Sequence, residues 1–261
     1  MRFKDKVVFI TGGARGLGKA MARAFLEEGA LVGVNGRNAE AVSRFEEELG
    51  GKEAKAFVAD ITDFQRMEAV ARSVLEEWGR VDILINNAGI VNPLESSEHT
   101  KREDFDTVID VNLKGAFYTT QIFGRRMIEQ GSGRIVFISS QIARFGEKGL
   151  LPYAVSKAGL EVMTRNLAFE WSRFGVTLCG MAPGFIRGGM NEGLIKRQAL
   201  VDFLSQKTPI GRMCNVEELV AAIMFLASPE AQYINGETIV MDGGLTGYSQ
   251  ESLLDRIARG K

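Results

Sequence analysis

The chain has 261 residues, 45% hydrophobic and 25% charged, with a formal net charge of -1. No basic stripe interleaved with aromatics is present, which argues against a nucleic-acid partner, and the longest apolar stretch, Leu219–Ala227, is far shorter than a membrane span. Two cysteines, Cys179 and Cys214, make no disulfide framework, and four apolar residues after a charged start make no secretion signal, so a cytoplasmic protein is expected.

Val7–Ile10 reads as a strand buried on both faces. It runs into Thr11-Gly12-Gly13-Ala14-Arg15-Gly16-Leu17-Gly18, after which Lys19–Glu28 takes helical spacing up to Gly29. A glycine-rich turn between a buried strand and a helix start aims backbone N–H groups and a helix dipole at an anion, so the loop is a candidate phosphate site. Its glycine spacing is not the common Gly-x-Gly-x-x-Gly. Leu31–Asn35 reads as a second strand, followed by Gly36-Arg37. In dinucleotide folds an acid near this strand's end takes the ribose 2′-OH, whereas an arginine accommodates a 2′-phosphate. Arg37, with Arg15 inside the loop, therefore favours NADP(H) over NAD(H) without excluding the latter; the competing reading is two solvated arginines.

Ala39–Leu49 reads as a polar amphipathic helix and Ala54–Val58 as a third strand ending near Asp60-Ile61. Asp63–Trp78 is the next helix, and Val81–Ile85 a fourth strand running into Asn86-Asn87-Ala88-Gly89. Small residues there let a ligand approach the backbone, though they suit an ordinary turn equally well. Glu103–Gln130 reads as one long helix in which Asn112 is a polar residue on an apolar stripe, either a satisfied core amide or the holder of a water. Arg134–Ser139 is the fifth strand, Pro152–Phe174 a helix, and Val176–Met181 the sixth strand, which leads to Pro183-Gly184. Phe185–Thr208 lacks strong periodicity and is expected to form an irregular lid over the site. Val216–Ala227 is a last helix and Glu237–Met241 a seventh strand. Strands alternating with helices, with no linker between them, predict a single α/β domain over 1–261 with a doubly wound parallel sheet.

Tyr153 and Lys157 are four apart, so on a helix they share one face. Two unit charges about 4–5 Å apart interact by roughly 4 kcal/mol at an effective dielectric near 20. That would draw the phenol from its alkaline range toward neutrality, where a general acid/base works best. Ser140, at the end of the fifth strand, offers a hydroxyl to hold a carbonyl oxygen. Gln141, Arg144, Phe145, Asn92, Leu94, Arg187, Met190 and Asn191 are candidates for the substrate pocket. His99, the only histidine, has no partners at metal-ligand spacing, so no metal is assigned.

Taken together, Thr11 to Gly18, Asn86-Asn-Ala-Gly89, Asn112, Ser140, Tyr153-x-x-x-Lys157 and Pro183-Gly184 resemble the classical short-chain dehydrogenases/reductases over nearly the whole chain, from Val7 to Gly244. The resemblance implies a Rossmann-type fold of seven parallel strands with helices on both faces, usually assembled as a homotetramer through long helices. It implies that Tyr153 exchanges a proton with the substrate oxygen, that Ser140 binds that oxygen, that Lys157 lowers the phenol pKa and holds the nicotinamide ribose, and that Asn112 anchors a proton-relay water. Gly12, Gly16 and Gly18, with Arg15 and Leu17 in the same loop, would line the pyrophosphate. Asp60 and Ile61 would meet the adenine, and Asn87, Ala88 and Gly89 the adjoining ribose. Pro183, Gly184 and backbone near Ile186 would meet the nicotinamide. The family's threonine four residues after that glycine is Gly188 here. The substrate implied is a small carbonyl or alcohol. Thr164-Arg-Asn-Leu-Ala168, Thr208-Pro-Ile-Gly-Arg212 and Val240-Met-Asp-Gly-Gly244 resemble sugar and gluconate dehydrogenases, whereas Phe225-Leu-Ala-Ser228 and Ile234-Asn-Gly-Glu237 resemble 3-oxoacyl-[acyl-carrier-protein] reductases. The latter reading would require a basic docking patch from Arg125, Arg126 and Arg173. A nucleotide-binding protein without turnover is the remaining alternative, and a tuned phenol argues against it.

Overall fold

In a computed structural model, residues 1–188 and 197–247 are described. Seven strands form one sheet: β1 (Val7–Ile10), β2 (Leu31–Gly36), β3 (Ala54–Val58), β4 (Ile83–Asn86), β5 (Gly133–Ile138), β6 (Val176–Pro183) and β9 (Thr238–Met241). All neighbours pair in parallel, in the order β3-β2-β1-β4-β5-β6-β9. Successive side chains leave a strand on opposite faces. Thus Val8 and Ile10 of β1 pack into one apolar layer and Val7 and Phe9 into the other. The first layer is covered by α1 (Gly16–Glu27), α2 (Ala39–Leu49) and α8 (Val216–Ala227). The second is covered by α3 (Phe64–Trp78), α5 (Ala116–Gln130) and α6 (Leu151–Trp171). The strand order reverses between β1 and β4, and a doubly wound sheet opens a ligand crevice at the carboxyl ends beside such a reversal.

The helix ends follow local chemistry. The Asn38 side chain accepts from Ala41 N at 2.8 Å, and Asp63 accepts from Arg66 N at 2.9 Å. Each satisfies one of the free N–H groups of a first helical turn. Gly79, at φ 72°, closes α3 in the left-handed conformation.

Two expectations need correction. The helix expected over Glu103–Gln130 is α4 (Arg102–Ile109) and α5, joined through a π-helical turn at Asp110–Gly115. Such turns reorient one stretch of a helix face, and this one carries Asn112. The stretch expected to be an irregular lid contains α7 (Gln198–Lys207), whose Val201 and Leu204 bury against Met213. It also contains the short strand β7 (Ile186–Arg187), paired in parallel with β8 (Cys214–Asn215). Residues 189–196 of that stretch, with Met190 and Asn191, lie outside the described residues, as does the tail beyond residue 247.

Arg134 fixes the last helix to the sheet. Its buried guanidinium donates to Leu226 O (2.8 Å), Ile234 O (3.0 Å), Ala231 O (3.2 Å) and Cys179 Sγ (3.0 Å). Carbonyls at a helix C-terminus attract a cation and lack intrahelical partners. Arg134→Met should therefore cost about 3 kcal/mol, because three carbonyls would lose their donor. Urea unfolding checks this, and a loss under about 1 kcal/mol would mean water replaces the guanidinium.

Candidate active site

Four chain segments leave the carboxyl edge of the sheet side by side. The loop after β1 is tied to the loop after β4 by Thr11, whose Oγ1 accepts from Asn87 N (3.0 Å) and Ala88 N (2.9 Å). Asn87 Nδ2 returns a bond to Thr11 O at 2.9 Å. Asn35 adds a third link, since its Oδ1 accepts from Gly12 N (3.3 Å) and its Nδ2 donates to Ala59 O (3.0 Å). Thr11 and Asn35 carried no assigned role in the sequence reading. The signal available was a polar residue at the end of an otherwise apolar buried strand.

Backbone crowding makes this loop a cradle. Gly12 and Gly16 have φ 63° and 54°, a region that costs other residues energy. A Cβ on Gly18 would lie 2.4 Å from Gly12 O. Helix α1 starts at Gly16 with Arg15 as its N-cap, and no side chain caps it. Its first N–H groups are thus left for an anion, and the residues present fit a dinucleotide's phosphates. Arg15 and Arg37 are exposed, Leu17 and Asp60 half-buried and Ile61 buried. Arg37 Nη1 lies 3.6 Å from Asp60 Oδ2.

The candidate catalytic groups gather opposite that cradle. A Cβ on Gly89 would lie 3.3 Å from Asn112 Oδ1 and 3.4 Å from Lys157 Nζ, so Gly89 leaves room for both. Asn112 Oδ1 accepts from Ile90 N (2.7 Å), while its Nδ2 donates to Ile90 O (2.8 Å) and Ser156 Oγ (3.0 Å). Of the two readings for Asn112, its side chain fits the satisfied core amide, fastening the loop after Gly89 to α6. Lys157 is 1% exposed, and its Nζ donates to Ile138 O at 2.8 Å and lies 5.6 Å from the centre of the Tyr153 ring. Ser140 Oγ accepts from Ile142 N at 3.3 Å and hydrogen-bonds the Tyr153 phenol. Ser139 turns the other way, donating to Lys157 O (3.2 Å) and Glu161 Oε1 (3.3 Å). Of the two adjacent serines, Ser140 is the one beside the phenol.

The electrostatics differ from the sequence expectation. Burial pushes the Tyr153 phenol above its usual range, and the Ser140 hydrogen bond only partly opposes it. Burial also pulls the Lys157 ammonium down to about 8. Desolvation penalises the charged form of each group, and spacing along a helix carries no information about it. The phenol is therefore protonated at neutral pH, and the ammonium is the more acidic of the two.

The pocket candidates divide. Gln141 and Asn92 are buried, Leu94 and Arg187 exposed, and Phe145 half-buried. Arg144 is engaged elsewhere: Nε contacts Glu161 Oε1 at 3.4 Å and Nη2 donates to Thr238 O at 2.9 Å. Glu161, which the sequence reading passed over, thus joins Ser139, Arg144 and α6 behind the site. Gly188 has φ 121°, and a Cβ there would meet Val216 Cγ2 at 3.3 Å. A threonine would be strained at this backbone geometry, which accounts for the departure noted in the sequence. Ile186 begins β7, directly after the Pro183-Gly184 turn.

A family model described as enoyl-(acyl carrier protein) reductase matches residues 12–246. A gluconate 5-dehydrogenase of Gluconobacter oxydans is 36% identical over 91% of this chain and 93% of its own length. A 3-oxoacyl-[acyl-carrier-protein] reductase of Thermotoga maritima is 39% identical over 94% of this chain and 99% of its own. Among solved structures, a gluconate 5-dehydrogenase from Burkholderia cenocepacia in complex with NADP and tartrate superposes with a TM-score of 0.87 at 34% identity, covering 95% of this chain and 98% of the other. With this sheet order and this length of match, the chain belongs to the short-chain dehydrogenase/reductase family and is an oxidoreductase of CH–OH groups.

Proposed function

We propose that the chain is a cytoplasmic NADP(H)-dependent oxidoreductase that interconverts a secondary alcohol and a ketone on a sugar, polyol or sugar acid. The observation that carries this reading is the meeting of a protonated phenol, the Ser140 hydroxyl and the buried Lys157 ammonium beside Gly89. When bound, the nicotinamide supplies or accepts the hydride. In the reductive direction Tyr153 donates its proton to the carbonyl oxygen, and the Ser140 hydroxyl holds that oxygen within reach. The Lys157 ammonium stabilises the phenolate left behind. The Asn112 amide keeps the loop carrying Gly89 and Ile90 against this group, so its part is positioning.

Arg37 and Arg15, exposed beside the glycine cradle, support the preference for NADP(H), as does the NADP complex of the Burkholderia neighbour. Its tartrate, a small hydroxy acid, supports a polar substrate. The second reading, reduction of a 3-oxoacyl-[acyl-carrier-protein], rests on the Thermotoga relative. Its docking patch is weakened by charge pairing: Arg126 Nη1 lies 2.8 Å from Glu129 Oε2, and Arg125 shares a cleft with Glu68 and Glu129. Exposed Val155, Val162 and Phe169, seven residues apart on α6, support packing against a second copy within a homotetramer.

The substrate reading is tested with purified protein, both reduced coenzymes, 5-ketogluconate and an acetoacetyl thioester. Turnover of the keto acid with NADPH is expected; reduction of the thioester alone would establish the second reading. Arg37→Asp should move the preference toward NAD(H) by about tenfold, since the change replaces an attraction for the 2′-phosphate with a repulsion. An unchanged ratio would overturn the assignment of Arg37.

A further inference from the structure

We infer that Asp60 is a specificity-determining residue that weakens the chain's grip on a 2′-phosphate by occupying Arg37. The inference rests on the NADP(H) reading and concerns how strict that preference is.

Arg37 would attract a 2′-phosphate, yet its Nη1 already lies 3.6 Å from Asp60 Oδ2. The two partners are not equally free. The other carboxylate oxygen of Asp60 accepts from both Thr62 N and Thr62 Oγ1, each at 2.9 Å. The residue before Asp60 is fixed as well, because Ala59 O accepts from Asn35 Nδ2 at 3.0 Å. The same Asn35 side chain holds Gly12 N of the phosphate loop. Asp60 is thus held at the end of β3 in fixed relation to the glycine cradle. Arg37, exposed in the bend that follows β2, has no side-chain hydrogen bond and no other ion pair among the described residues. A phosphate dianion meeting Arg37 must share the guanidinium with Asp60 and sit close to a carboxylate that stays where it is. Repulsion between like charges at that range offsets part of the attraction to Arg37. An exposed ion pair is worth little in stability, so its presence costs the fold nothing while it lowers the discrimination between the two coenzymes. A chain built this way accepts NADP(H) first and NAD(H) as a close second.

The test is calorimetric titration with adenosine 2′,5′-bisphosphate and with AMP, which differ only in the 2′-phosphate. Asp60→Asn keeps an oxygen for the two Thr62 donors and removes the charge. It should raise the bisphosphate-to-AMP affinity ratio about fivefold, and the ratio cancels any contact of Asp60 with the adenine that the two nucleotides share. Asp60→Ala should move the bisphosphate-to-AMP ratio the same way, which guards against an effect peculiar to asparagine. Arg37→Ala should bring the bisphosphate down toward the affinity for AMP. If both Asp60 variants leave the bisphosphate-to-AMP ratio unchanged, this inference is overturned while the NADP(H) reading stands. If Arg37→Ala leaves the ratio unchanged, or the wild type binds neither nucleotide, the NADP(H) reading fails and takes the inference with it.

Discussion

Tyr153→Phe is expected to lower turnover by about a thousandfold while the affinity for the coenzyme stays within about twofold. The substitution removes one oxygen and keeps the ring, so the packing of Tyr153 above Lys157 survives. Ser140 loses one partner but still accepts from Ile142 N. What disappears is the proton. Because burial keeps the phenol protonated at neutral pH, the wild type approaches a ketone with its acid already charged, and no other acid among the described residues touches Ser140. Single-turnover reduction, followed by the loss of reduced-coenzyme absorbance, separates this step from binding. A variant that kept its rate would show that the proton comes from elsewhere, and one that lost coenzyme affinity in step with rate would show that the ring serves binding alone.

Lys157→Met should reduce turnover to a low residual rate and yet leave the protein at least as stable at neutral pH. Burial pulls the Lys157 ammonium from 10.5 to about 8. Its sign follows from proton linkage. Between about 8 and 10.5 the unfolded chain binds the proton and the folded chain does not, so stability rises with pH across that window. Below about 8 the whole cost of burying the charge is present, on the order of 3 kcal/mol. Methionine escapes that cost and leaves Ile138 O without its donor, which is worth about 1–3 kcal/mol against it. Unfolding the wild type in urea at pH values on either side of the window should show a stability that climbs with pH, and Lys157→Met should lack the climb. A variant that is several kcal/mol less stable at neutral pH would mean that the ammonium holds the fold together rather than serving the chemistry.

The sheet was legible because its strands carry a signal that survives context. Val7–Ile10 and Ile135–Ile138 are apolar without interruption, as strands buried on both faces must be, and glycine-bearing turns bound them. Helix α7 was missed although Val201 and Leu204 sit at helical spacing, because its apolar face is narrow and its cluster with Met213, Phe185 and Leu200 is small and local. The π-helical turn at Asp110–Gly115 leaves no mark in a periodicity that continues on either side of it. At the site, residue types and order predicted which side chains would meet, and Gly89, Asn112, Ser140, Tyr153 and Lys157 do meet. Their electrostatics were not predictable from spacing. An ammonium four residues from a phenol would acidify it in a wet cleft, but Lys157 is buried and Tyr153 half-buried, and desolvation sets the direction of both shifts. The roles of Asn35, Asp60 and Glu161 depend on contacts between residues 22 or more apart or on paired side chains, which a single sequence does not display.

The dependence of kcat/KM for ketone reduction on pH, which reports the groups of the enzyme before substrate binds, tests the pairing of phenol and ammonium most directly. With a phenol that stays protonated and a lysine that loses its charge near 8, the wild-type rate should be level at neutral pH and fall as pH rises through about 8. In Lys157→Met the residual rate should be low, with no inflection there. A wild-type rate that stays level through that range, or an inflection that persists once the lysine is gone, would contradict the mechanism.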